Sequence, residues 1–186
     1  MLSPLTLAKI AQAAYTGRSV YGRPCTLVEV KHSAVYTMRV GDETVAAFPG
    51  SNSPLDWLFN VMRFRKHGIH AGFLSTYEML EPHIPKADHY VGHSQGGAIA
   101  QIAGALHHPQ AIVTTFGSPR VFSPKRAREW PLKTARRYYL QNDPIARVPV
   151  YGYQHVGRGI ALPCRGGPLA HDIRTYIHSL GEIYVC

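Results

Sequence analysis

The chain has 186 residues, 45% of them hydrophobic and 17% charged, with 11 Tyr, 6 Phe and 2 Trp. Such a composition excludes wholesale disorder, and the length suits one domain with a core that needs no staples. Twenty Lys and Arg against 11 Asp and Glu give a formal charge of +9, and the sequence has no self-similar period that would signal a repeat array.

In chain order, Pro4 followed by Leu5, Ala8, Ala11, Ala14 and Tyr15 predicts an amphipathic opening helix stopped at Gly17. Thr26 to Lys31, Ala34 to Val40 and Thr44 to Phe48 are β-like stretches separated by polar or glycine turns, the pattern of an antiparallel meander. Ser53-Pro54 opens a short helix over Leu55 to Phe64, and Gly72 to Ile84 predicts another. Tyr90-Val91 ends a strand, and Gln95 to His108 has helical periodicity closed by Pro109. Ala111 to Phe116 is apolar and β-branched without alternation, as in a strand covered on both faces. Arg137 to Leu140 predicts a further strand and Ile173 to Leu180 a closing helix or strand. Strands alternating with helices in the second half call for parallel βαβ units, so the expectation is one α/β domain over residues 1–186. Its sheet would be mostly parallel, with helices on its faces and an antiparallel meander at its start.

The positive charge is uneven. From Ser118 to Arg147 stand Arg120, Lys125, Arg126, Arg128, Lys133, Arg136, Arg137 and Arg147, against only Glu129 and Asp143. Two readings compete: a solvated basic face, and a patch for anionic lipid, acidic polymer or nucleic acid. The absence of a basic-aromatic nucleic-acid motif weighs against the last. Cys25, Cys164 and Cys186 lie far apart, in an arrangement suited neither to a zinc site nor to a disulfide framework. Met1 to Tyr15 makes a poor secretory signal, and no apolar run approaches the roughly 20 residues that span a bilayer. The expectation is a chain acting in the cytoplasm where it is made, or released by a route that the chain does not encode.

The strongest local motif is Gly92-His93-Ser94-Gln95-Gly96-Gly97, between a predicted strand and a predicted helix. A serine in such a sharp turn has its hydroxyl pushed beyond the sheet edge, and the glycines let strand and helix approach. The first helical amide, that of Gln95, faces the same space and suits the oxyanion of a tetrahedral intermediate. Gly-x-Ser-x-Gly arises by chance in roughly one chain of this length in fifteen, so its context must carry the argument. A serine hydroxyl needs a base to take its proton and an acid to orient that base. Asp143, in Gln141-Asn142-Asp143-Pro144 after a predicted strand, fits the acid; its plainer role is a turn aspartate before proline. Three histidines follow it. His155 alternates with Tyr151 and Tyr153 like a structural strand residue, His178 lies on the closing element, and His171 sits on a loop after Gly166-Gly167-Pro168. Spacing alone leaves the choice open.

Several segments, in order, resemble the class 3 lipases, the fungal-type family of α/β-hydrolases. They are Ala13-Ala14-Tyr15, Phe48-Pro49-Gly50-Ser51 with Asp56-Trp57-Leu58, His70-Ala71-Gly72-Phe73 and the serine motif. Thr115-Phe116-Gly117-Ser118-Pro119-Arg120-Val121, Asn142-Asp143-Pro144-Ile145, His155-Val156-Gly157 and a late His171 followed by Tyr176 complete the match. The resemblance implies an α/β-hydrolase fold with Ser94 as nucleophile, Asp143 as acid and His171 as base. It implies Ser51 as oxyanion contributor beside Gln95, and a structural role for His155. The chain departs from the family pattern at Pro49, where arginine is usual, and at Phe122-Ser123, where Gly-Asn is usual.

Only nineteen positions separate Ser51 from His70, so any lid is short. The apolar stretch containing Trp57, Leu58 and Met62 is either ordinary core or an acyl-chain wall or vestigial lid. The activity implied is carboxylic ester hydrolysis through an acyl-enzyme, on an acylglycerol, a phospholipid or a short-chain ester, with no metal or organic cofactor. The implied partners are that ester or lipid and, through the basic residues, an anionic membrane surface; nucleic acid is disfavoured and oligomeric state is open. Two rival readings keep the same residues: a catalytically silent basic binding module, and an acyltransferase or thioesterase.

Overall fold

The structure is a computed structural model that describes residues 2–51, 65–130, 132–163 and 170–184. Helix α1 (Pro4–Ala13) starts where Ser3 accepts a hydrogen bond from the Thr6 amide and Pro4 presets the first turn. Strands β1 (Cys25–Val30), β2 (Ser33–Val40) and β3 (Glu43–Phe48) form the expected antiparallel meander. A two-stranded hairpin, β4 (Arg65–Lys66) with β5 (Ile69–His70), precedes α2 (Ala71–Leu80). The chain then alternates through β6 (His89–His93), α3 (Gln95–Leu106), β7 (Ile112–Phe116), α4 (Pro124–Glu129), β8 (Arg136–Leu140), β9 (Arg158–Leu162) and α5 (Ile173–Tyr184).

The main sheet has seven strands in the order β1-β2-β3-β6-β7-β8-β9, and it is parallel from β3 onward. Its two faces carry separate cores because side chains alternate along a strand. Along β3, Val45 and Ala47 face α1 and α5, whereas Ala46 and Phe48 join Phe73 and Leu74 of α2 and Ile99 of α3 on the other face. Parallel strands all deliver their following loops to one edge, where α/β sheets bind ligands. Ser51 follows β3, Ser94 follows β6, Gly117 follows β7 and Asp143 follows β8.

Two expectations need correction, and two elements escaped the sequence reading. The helix from Gly72 stops at Leu80 and tightens into a turn at Glu81–His83, and Ile84 is already extended because Pro85 follows it. His155 belongs to no strand. Gly152 and Gly157 both adopt positive φ and break the Tyr151–Val156 alternation, leaving a loop with one bridge, Gln154 to Phe122. Strand β9 and helix α4 lacked a clear periodic signal, since β9 is mostly exposed and α4 is one short turn-and-a-half.

The basic stretch is not one face either. Arg136 starts β8 and Arg147 lies beyond its far end, so they occupy opposite edges of the sheet, and Arg137 is partly buried with its Nε donating to the Val156 carbonyl. The helix expected over Leu55 to Phe64, with Trp57, Leu58 and Met62, lies outside the described residues.

Candidate active site

Ser94 sits between β6 and α3 with φ 59° and ψ −128°, a backbone region that L-residues rarely visit. Neighbouring bonds hold it there. Its amide donates to the Phe116 carbonyl across the sheet at 3.0 Å, and its carbonyl accepts from the Gly97 amide at 3.0 Å. The turn is tight enough that a Cβ on Gly96 would stand 2.0 Å from the Phe48 carbonyl oxygen, and one on Gly92 would stand 2.1 Å from the Gly96 oxygen. Hence the glycines of the motif are a steric demand of strand, turn and helix meeting, and the serine hydroxyl has only the sheet edge to point over.

His171 Nε2 lies 2.7 Å from Ser94 Oγ, and its Nδ1 lies 2.8 Å from Asp143 Oδ2. A carboxylate only accepts, so Nδ1 carries the imidazole proton and Nε2 is left to accept from the serine hydroxyl. Of the three histidines left open by spacing, the structure brings only His171 to the serine. His155 instead donates from Nε2 to the Ala146 carbonyl at 2.8 Å, in the loop that carries Asp143. Burial pushes His155 down to about 3, with the Arg137 charge adding to the shift. His178 is exposed on α5 beside Glu182.

Asp143 is wholly buried, a costly position for a carboxylate unless donors surround it. They do. Besides His171, the Tyr176 hydroxyl donates to Oδ2 at 2.5 Å and the Ile145 amide to Oδ1 at 2.8 Å. Tyr176 in turn accepts from the Leu140 amide at 3.3 Å, which ties α5 to the end of β8. Gly117, at φ 59°, leaves room for this cluster: a Cβ there would lie 2.6 Å from Asp143 Oδ2 and 2.8 Å from the Tyr176 hydroxyl. The role of Tyr176 did not emerge from spacing. Its sequence signals are its place after His171 in the family resemblance and a tyrosine among the core positions of the closing helix, whose hydroxyl must find a buried partner.

Behind the pair stands a second imidazole. The His93 ring lies 4.8 Å from that of His171, tilted by 31°, and its Nδ1 is 2.7 Å from the Tyr15 hydroxyl. Burial holds His93 down near 3 and the His171 neighbour lowers it further, while burial pushes Tyr15 up to about 12. Both groups therefore stay neutral at physiological pH, and no positive charge develops behind the base.

On the side of β3, Gly50 packs against the nucleophile, since a Cβ there would lie 2.8 Å from Ser94 Cβ. Ser51 follows it, half-buried at the same edge. The Gln95 amide, first in α3, has by its position no intrahelical acceptor, and the Gln95 side chain reaches Thr76 of α2 at 3.5 Å.

The family model for the class 3 lipases matches residues 45–152, more than half of the chain. The chain belongs to the class 3 lipase family. Its sequence is 30% identical over 178 residues to a secreted mono- and diacylglycerol lipase of Fusarium solani, an alignment covering 82% of this chain and 51% of that one. The chain thus spans about half the length of this curated relative. Among solved structures, lipase II from Rhizopus niveus superposes with a TM-score of 0.69 at 21% identity, over 88% of this chain and 80% of that one. The lipase of Rhizopus microsporus var. chinensis gives 0.67 at 22% identity, over 89% and 75%. These likenesses identify the fold as that of the fungal-type α/β-hydrolases, with the β3-to-β8 edge of the family match spanning Ser51, Ser94 and Asp143.

Proposed function

We propose that the protein hydrolyses carboxylic esters of lipids through an acyl-enzyme. The observation that carries this reading is the unbroken hydrogen-bond path from Ser94 Oγ through His171 to Asp143, 2.7 and 2.8 Å long. Ser94 attacks the ester carbonyl while His171 Nε2 takes its proton, and the amides of Gln95 and Ser51 receive the oxyanion. Collapse of the intermediate expels the alcohol, protonated by His171. Water then attacks the acyl-enzyme by the same route and restores Ser94. Asp143 keeps the imidazole in the useful tautomer and balances its transient charge. The Fusarium relative acts on mono- and diacylglycerols, which favours glycerol esters over phospholipid or simple alkyl esters here.

The test is hydrolysis of p-nitrophenyl butyrate and labelling by a fluorophosphonate with peptide mapping. Label is expected on Ser94, and Ser94→Ala should abolish hydrolysis with the circular dichroism spectrum unchanged. A Ser94→Ala protein as active as the parent would sink the mechanism.

The same edge supports contact with an anionic lipid surface. Val150 and Tyr151 are 57% and 90% exposed, on a loop braced by Arg120 donating to the Pro149 and Val150 carbonyls and by Arg65 donating to that of Gly152. From Ser118 to Gly159 the only acids are Asp143, which is buried, and Glu129, which pairs with Arg126. A projecting tyrosine on a loop flanked by Arg65 and Arg120 suits the headgroup region of a bilayer. Tyr151→Ser should lower cosedimentation with phosphatidylglycerol vesicles severalfold and leave hydrolysis of the soluble ester unchanged. Among the described residues no helix is long and apolar enough to cross a membrane.

A further inference from the structure

The ladder between β3 and β6 ends at the pair Phe48 and Gly92. Beyond it one strand runs into Pro49-Gly50-Ser51 and the other into the serine turn, and among the described residues no further ladder pair joins them. Yet the amides of Ser51 and Gln95, one on each arm, must both reach a single oxyanion, and donors out of place lose most of their effect. A side chain from the first helix lies where the arms part. Tyr15 stands in the turn that ends α1, its amide donating to the Gln12 carbonyl at 3.2 Å and Gly17 closing the turn at φ 66°. Leu7, Ile10 and Ala14 anchor this segment in the core that it shares with Val91 of β6 and Tyr176 of α5.

The Tyr15 hydroxyl touches both arms. On the elbow it hydrogen-bonds His93 Nδ1 at 2.7 Å. On the other arm Gly50 lies against it, since a Cβ there would stand 2.5 Å from the hydroxyl oxygen. The same Cβ would stand 2.8 Å from Ser94 Cβ and 3.0 Å from the His93 carbonyl oxygen, so hydroxyl, arm and elbow meet at one point. Holding Nδ1 also orients the ring that lies 4.8 Å from that of His171. Other buried tyrosines use their hydroxyls away from the site: Tyr36 donates to the Arg18 carbonyl, Tyr77 to Glu81 and Tyr90 to the Pro85 carbonyl. We infer that Tyr15 is a positioning residue whose hydroxyl ties the oxyanion arm to the serine elbow and steadies the ring behind His171. The inference rests on the hydrolase reading above and adds a residue outside the triad that the reaction depends on. Because Tyr15 acts through Gly50 and His93 and not on the ester, its loss should weaken transition-state stabilisation and leave ground-state binding nearly alone.

The experiment removes one oxygen atom. Tyr15→Phe keeps the ring in its packed place, and titration to completion with a fluorophosphonate counts competent sites, so that rates are expressed per site. For p-nitrophenyl butyrate, kcat should fall about tenfold to hundredfold while KM stays within about twofold of the parent. Affinity for butylboronic acid, which forms a tetrahedral adduct on a reactive serine, should weaken in similar proportion. His93→Phe keeps a ring against His171 and removes the partner of the hydroxyl; it should act in the same direction, and it carries the test alone if Tyr15→Phe does not fold. The double variant should lose less than the product of the two single losses, because one tie is cut twice. Tyr21→Phe, at a residue 60% exposed, should match the parent. Parental kcat per site in both Tyr15→Phe and His93→Phe overturns the inference and spares the hydrolase reading. A fall confined to the number of titratable sites makes Tyr15 a structural brace and overturns it too. A loss carried by KM overturns it in favour of direct contact with the ester. A parent that neither takes the label nor cleaves the ester overturns the hydrolase reading and this inference with it.

Discussion

The parallel and antiparallel halves of the sheet meet at one edge and treat their residues in opposite ways. In the parallel half, Ser94 and Asp143 are almost or wholly out of solvent, and backbone passes backbone so closely that Gly96 has no room for a methyl group. In the antiparallel half, Glu29 and the Lys31-His32 turn are exposed. The difference follows from the work each half is asked to do. Proton transfer needs donor and acceptor held within hydrogen-bond reach, and only packed backbone and buried donors fix atoms that well. The antiparallel hairpin has no such atoms to hold, and its polar side chains stay in water.

This contrast can be broken most forcefully at Gly96. Gly96→Ala puts a methyl group 2.0 Å from one backbone oxygen and 2.6 Å from another, neither of which has a side chain to rotate away. It should cost at least about 3 kcal/mol of stability or prevent folding, read as a fall in the urea midpoint. Unchanged stability would mean that the elbow is looser than its geometry.

Acid should expose the same half next. His93 and His155 have an ordinary value of 6.5 and are both held down to about 3 in the folded chain. Between those values the unfolded chain binds protons that the folded one refuses. Their contribution is therefore complete above pH 6.5 and shrinks as pH falls toward 3, by about 1.4 kcal/mol per pH unit for each histidine. Denaturant midpoints at pH 7 and pH 4.5 measure this, and the His93→Gln, His155→Gln double variant should show a shallower decline. An equal decline in the double variant would mean that other groups govern acid sensitivity.

The smallest effect is expected across the sheet, where His32→Ala on the exposed turn should leave stability within about 0.5 kcal/mol of the parent. A larger loss would show that the turn braces the edge.

Much of this is legible in the sequence. The meander, the serine turn and the β-branched strand Ile112–Phe116 announced themselves because their patterns are local: alternation, glycine around serine, and an apolar run of strand length. Other features were hidden. Arg136 and Arg147 looked like one patch and lie at opposite edges, because a strand of five residues runs between them. His155 carried a strand-like alternation that two positive-φ glycines cancel.

The sheet class and the chemical types at the edge are written in spacing over a few residues, and the family in the resemblance of several motifs taken in order. Which of three histidines meets the serine, and that Tyr176 and the Ile145 amide sustain a buried carboxylate, depend on the packed fold. The reason is physical. Residues 94, 143, 171 and 176 become neighbours through strand order and sheet register, and those are fixed by how two cores pack on opposite faces of one sheet.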